Sequence, residues 1–103
     1  MNRSIPYLHK LTDAPDSHLK GGIFTVVAER WGDRYNHCYL VGSYKTLQSA
    51  LHNANKEAAY RGGKYGCRIY CTRHPNQHEQ DRMVEIYEIR SPYHDRTRRV
   101  AHK

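Results

Sequence analysis

The sequence lacks any apolar run approaching the ~18 to 20 residues that a bilayer span requires, and its first twenty residues lack the apolar stretch of a signal peptide. These absences predict a soluble, cytoplasmic protein with no membrane partner. Cysteine is sparse: Cys38, Cys67 and Cys71 are an odd number with no signal toward an oxidising compartment, so reduced thiols are expected. Cys38 lies among Tyr39, Leu40 and Val41, where a free cysteine serves as a small buried hydrophobe. No Cys-x-x-Cys knuckle, Gly-x-Ser-x-Gly, Walker A or His-Glu-x-x-His motif is present. Neither a cofactor nor an enzyme is therefore expected. Internal repeats and low-complexity tracts are missing too.

What is present is a short basic chain. At 103 residues and 12.1 kDa it has room for one domain, burying roughly 65% of the surface that its unfolded form exposes. Seventeen Lys and Arg against ten Asp and Glu leave +7 before any of the eight histidines is protonated, a balance that favours polyanionic or acidic partners. The charge divides as +1 over residues 1–22, +3 over 23–90 and +3 over 91–103. The last segment has almost no apolar content and is expected to be a basic, unpacked tail. In the first segment Pro6, Pro15 and Gly21-Gly22 interrupt any long periodic element, so 1–22 is expected to be an arm, with Ile5, Tyr7, Leu8 and Leu11 docking as a short turn.

Residues 23–90 carry the domain. Ile23 to Trp31 and Tyr35 to Val41 are rich in β-branched and aromatic residues, and Gly32-Asp33-Arg34 between them suits a hairpin loop. Thr46 is a good N-cap, followed by Leu47, Ala50, Leu51, Ala54 and Ala58 at helical spacing, with a stop at Arg61-Gly62-Gly63. Tyr65 to Arg73 alternates, with Tyr65, Cys67, Ile69 and Cys71 on the core face and Arg68, Tyr70 and Thr72 opposite. Met83 to Arg90 is a fourth strand, stopped by Ser91-Pro92. The order ββαββ predicts an α+β two-layer fold, a four-stranded, mainly antiparallel sheet with one helix on one face. The other face stays open. For the first strand, parity alone leaves open whether Phe24, Val26 and Ala28 or their neighbours face inward.

Nine of the eleven aromatic residues are tyrosines, too many for so small a core. Bases stack on aromatic faces while Lys and Arg neutralise phosphate, so Tyr35, Tyr39, Arg68 and Tyr70 on the sheet, with Arg96, Arg98, Arg99 and Lys103 in the tail, are candidate nucleic-acid contacts. RNA or single strands are favoured over duplex. Arg30, Trp31 and Arg34 cluster at the hairpin tip and are candidate protein contacts, since Trp and Arg dominate interface hot spots. Cys67, Cys71, His74 and His78 are zinc-ligand types. On a strand, however, Cys67 and Cys71 are roughly 13 Å apart, which leaves Cys71, His74 and His78 as the only set able to meet and makes no metal the expectation. A small basic nuclease using His37, His52 or His74 is a third reading. An unpaired strand edge would allow a homodimer by sheet extension.

The hairpin, the helix opening Thr46-Leu47-Gln48-Ser49-Ala50-Leu51 and the returning strand resemble small phage host-takeover proteins, including phage inhibitors of host RNA polymerase. The likeness spans roughly residues 23–73. It implies a compact domain that binds a host protein or nucleic acid without catalysis of its own, and it carries over no individual functional residue. The strong positive charge departs from the acidic character of several such inhibitors.

The sequence thus predicts a non-catalytic nucleic-acid-binding protein first and a regulator that binds and inhibits a host protein second.

Overall fold

Among the described residues, seven segments take regular structure, in the order β1 (Leu8–Lys10), a 3-10 turn (Asp16–Leu19), β2 (Phe24–Arg30), β3 (Cys38–Tyr44), α1 (Leu47–Tyr60), β4 (Tyr65–Cys71) and β5 (Val84–Ile89). They are seen in a computed structural model, which describes residues 5–33, 36–73 and 83–92. The strands form one antiparallel sheet in the order β1-β5-β4-β2-β3, and α1 packs on one face of it. The fold class is α+β with two layers, as expected, but the sheet has five strands rather than four. Among the described residues, no helix is long and apolar enough to cross a membrane.

Helix α1 begins where the sequence places it. Thr46 takes extended geometry and its hydroxyl accepts the Ser49 N–H at 3.1 Å, a cap that stabilises a helix by about 1 kcal/mol. Ala50, Leu51 and Ala54 are buried against the sheet. The small volume of Ala50 and Ala54 lets the helix approach closely: the Cys67 thiol donates to the Ala54 carbonyl at 3.4 Å. Positive φ at Gly62 and Gly63 ends the helix, with Gly63 N–H returning to the Ala58 carbonyl.

On β2 the inward set is Phe24, Val26 and Ala28, and on β4 it is Tyr65, Cys67, Ile69 and Cys71. Two β-bulges break the alternation elsewhere. In β3 the register slips between Val26 and Val27, so that Tyr39 opposes Ala28 and Tyr44 opposes Phe24. In β5 it slips between Ile69 and Tyr70, so that Tyr87 opposes Ile69 and Glu85 opposes Tyr70, leaving Ile86 as the extra, fully buried residue.

The expected N-terminal arm supplies the fifth strand. Leu8 pairs with Ile89 and Lys10 with Tyr87, and the Leu11 N–H donates to the Ile86 carbonyl. Beyond β1 the chain crosses to bury Ala14 and Leu19, and Asp16 accepts the Tyr87 hydroxyl at 2.9 Å. A three-residue strand between prolines is too short to show a period, and its partner is the last strand of the sheet. Cys38 is likewise corrected. It is exposed at the start of β3, because that outer strand turns it toward the open face opposite Glu29.

Leu19 is 0% exposed. Leu19→Ala is expected to cost about 2 to 5 kcal/mol in urea unfolding, where a residue on an undocked arm would cost under about 0.5.

Candidate binding surface on the open sheet face

The open face presents the residues opposite the core set: Thr25, Val27 and Glu29 on β2, Cys38, Leu40 and Ser43 on β3, Arg68 and Tyr70 on β4, Glu85 and Glu88 on β5, and His9 on β1. At its centre is Arg68, whose side chain is only 16% exposed. Its guanidinium reaches three carboxylates: Nε to Glu29 at 3.0 Å, Nη1 to Glu85 at 2.5 Å and Nη2 to Glu88 at 3.4 Å. Arg90 adds a second cation on Glu88 at 3.2 Å. Burial works against the charged form of Arg68, and Glu88, Glu85 and Glu29 together outweigh it, so its pKa is raised. Two arginines and three glutamates give this cluster a formal charge of −1, on the surface where phosphate contact was expected.

Beside the cluster is a cleft of about 290 Å³. Glu29, Arg30 and Trp31 form one wall, Glu88 and Arg90 the other, and Gly66 the floor. Glycine is required at position 66, because a Cβ there would come within 2.5 Å of the Ile89 carbonyl oxygen. Trp31 is 36% exposed at the rim, and its backbone N–H is fixed by the Lys64 carbonyl at 2.9 Å. The turn that follows is longer than the three residues expected. Asp33 accepts from the Asn36 amide and bonds the His37 ring, both at 2.9 Å, while Arg30 N–H donates to the His37 carbonyl. Asn36, aided by His37, holds the Asp33 carboxyl below its ordinary pKa.

The proposed nucleic-acid residues therefore do not share one surface. Tyr39 lies on the helix side of β3, its ring 5.7 Å from that of Tyr65 and its hydroxyl donating to Glu57, with Arg61 stacked 4.1 Å over Tyr65. Arg68 is on the open face within its carboxylate cage, and Tyr70 is half-buried two residues along. Tyr35, Arg96, Arg98, Arg99 and Lys103 lie outside the described residues. Of the protein-contact set, Arg30 and Trp31 meet at the cleft, and Arg34 lies outside the described residues. His37 is bound to Asp33, His52 is exposed on α1, and His74 and His78 lie outside the described residues. Cys71 is buried, donating to the Arg73 carbonyl at 3.0 Å. Among the described residues, no group of three or more His, Cys, Asp or Glu is placed to hold a metal. Sequence reasoning missed Glu29, Glu85, Glu88 and Arg90. Only the alternation that turns Arg68 away from Cys67 and Ile69 hinted at a charged centre there.

Comparison with protein-family models, curated proteins and solved structures finds no match.

Replacing Arg68 by Ala leaves three carboxylates facing one another, and the expected loss is about 1 to 3 kcal/mol of stability by chemical denaturation. The helix side sets an alkaline limit. Burial, with Glu57 beside Tyr39 and Asp16 beside Tyr87, pushes both hydroxyls from 10.0 to about 12, and burial pushes the Cys67 thiol from 9.0 to about 12. Each raised value favours the neutral folded form. Stability from these groups is full below pH 9 and is lost as pH rises from 9 through 12. Urea midpoints in reductant should be flat below pH 9 and fall above it, and less steeply in Tyr39→Phe.

Proposed function

We propose that the chain is a small non-catalytic binding protein that docks on another protein through the Trp31 cleft of its open sheet face. The observation that carries this reading is the cleft itself: an indole rim, a bare glycine floor and flanking arginines, the residue types that anchor protein interfaces. Its mixed charge favours a protein over a polyanion. A partner inserting an apolar side chain between Trp31 and Gly66 would meet Glu29, Glu88, Arg30 and Arg90 as a polar rim. Docking of this kind fits a regulator that inhibits its target by occupying a surface, and the likeness to phage host-takeover proteins supports that form of it.

A second reading, nucleic-acid binding, rests on a different place. Exposed Lys20 and Lys45 line a groove of about 470 Å³ with Phe24 and Leu47, and the Arg73 guanidinium lies beside Gly21 at the same end. Together with the basic tail, this pole would hold phosphate away from the acidic cluster.

Trp31→Ala separates the two. With the fold verified by circular dichroism, it should weaken the protein complex by about 2 kcal/mol or more, roughly 30-fold in affinity. Salt-dependent binding to single-stranded RNA should be unchanged by it, and should instead be reduced by a Lys20→Ala, Lys45→Ala, Arg73→Ala triple variant. A protein complex indifferent to Trp31→Ala would overturn the leading reading.

A further inference from the structure

The 3-10 turn, the first residue of β2 and the start of α1 line a groove of about 470 Å³, within the range of roughly 300 to 1,000 Å³ typical of small-molecule pockets. It lies at the Phe24 end of β2, and the Trp31 cleft lies at the other end of that strand. Three cations gather around it: Lys20 and Lys45 on its lining, and the Arg73 guanidinium beside Gly21. Among the described residues none of these three side chains takes part in an ion pair, in contrast to Lys10, Arg68 and Arg90. Asp16, the one carboxylate on the described lining, is already engaged by the Tyr87 hydroxyl at 2.9 and 3.1 Å and by Lys10 at 3.5 Å.

The apolar part of the groove is aliphatic. Leu47 is half-buried, and the stems of Lys20 and Lys45 add methylene surface below their ammonium heads. Phe24, the only aromatic residue on the described lining, is 2% exposed and offers no ring face on which a nucleobase could stack. Charge around the groove is left uncompensated. Lys45 stands immediately before the Thr46 cap and the first turn of α1 has no acidic residue, so the helix dipole adds to the positive field of the lysines instead of opposing it. That placement costs the unliganded chain stability, and an anion in the groove recovers it.

We infer that this groove binds a small amphiphilic anion, an aliphatic chain ending in a carboxylate or phosphate. The chain lies against Leu47 and the lysine stems, and the head lies among Lys20, Lys45 and Arg73. This site is separate from the Trp31 cleft and does not depend on docking there. Both halves of the ligand are needed. A bare anion on exposed lysines is screened by salt, and an uncharged chain leaves the three cations without a partner. Together, the buried methylenes supply affinity and the charged head fixes orientation.

Amide NMR of the full chain, titrated with decanoate below its micelle concentration, should shift the Lys20, Gly21, Lys45 and Leu47 signals and leave those of Trp31 and Gly66 in place. Affinity should rise about two- to fourfold per methylene from hexanoate to decanoate. Decyl phosphate should shift the same signals, and the tighter of the two ligands identifies the preferred head. Inorganic phosphate and decanol, the head and the chain alone, should each bind at least about tenfold more weakly. A Lys20→Glu, Lys45→Glu double variant, changed at two exposed positions, should weaken decanoate binding about tenfold with the rest of the spectrum unchanged. Affinity indifferent to chain length, or undiminished in the double variant, would overturn the inference. So would shifts centred elsewhere, or these signals responding to oligouridylate or to anionic phospholipid vesicles but not to decanoate.

Discussion

In a regular strand Glu85 and Glu88 point to opposite faces, because they are an odd number of residues apart. The extra residue at Ile86 removes that opposition and brings both carboxylates to the open face, on either side of Arg68. The same bulge drives Ile86 and Tyr87 together into the core. One local irregularity therefore supplies both a buried aliphatic side chain beneath the sheet and a caged guanidinium above it. The bulge in β3 has the matching effect on the far side, keeping Tyr39 and Tyr44 on the helix side so that α1 has aromatic walls to pack against.

Charge is divided by these faces. The open face carries its carboxylates around Arg68, where the low exposure of Arg68, Glu29 and Glu88 strengthens their pairing and makes the loss of one member costly, while Glu85 is more exposed. Exposed lysines lie elsewhere: Lys20 and Lys45 at one pole, Lys56 and Lys64 along and beyond the helix. A chain with a net charge of +7 thus presents an anionic patch at the centre of its exposed sheet. That arrangement favours a partner read by shape and mixed polarity at the Trp31 cleft over one read by phosphate charge alone.

Small residues make the two-layer packing possible. Ala50 and Ala54 on α1 face Ala28, Cys67 and Cys71 on the sheet, so the helix sits low and the larger Leu51, Ile69 and Ile86 fill the remaining space. With a core this thin, the N-terminal segment becomes part of the fold rather than an appendage, since Leu19 and Ala14 close one end of it. Among the described residues, β3 at the other edge of the sheet pairs with β2 alone.

The helix, its Thr46 cap and Gly62-Gly63 stop, the inward face of β4 and the hairpin of β2 with β3 are all legible in the chain before it folds. Each is encoded within a few residues by periodicity, capping or glycine conformation. The tertiary structure alone decided the rest. Leu8 to Lys10 becomes a strand only because β5, from the other end of the described chain, offers it an edge. Period-two reasoning put Tyr39 on a shared surface with Arg68, whereas the sheet places them on opposite faces. Glu29, Glu85 and Glu88 converge on Arg68 from two other strands, and the bulge that brings the last two together answers to core packing against α1. A bulge, a register and a long-range pairing are set by the energy of the assembled layers, and a local stretch of sequence does not contain them.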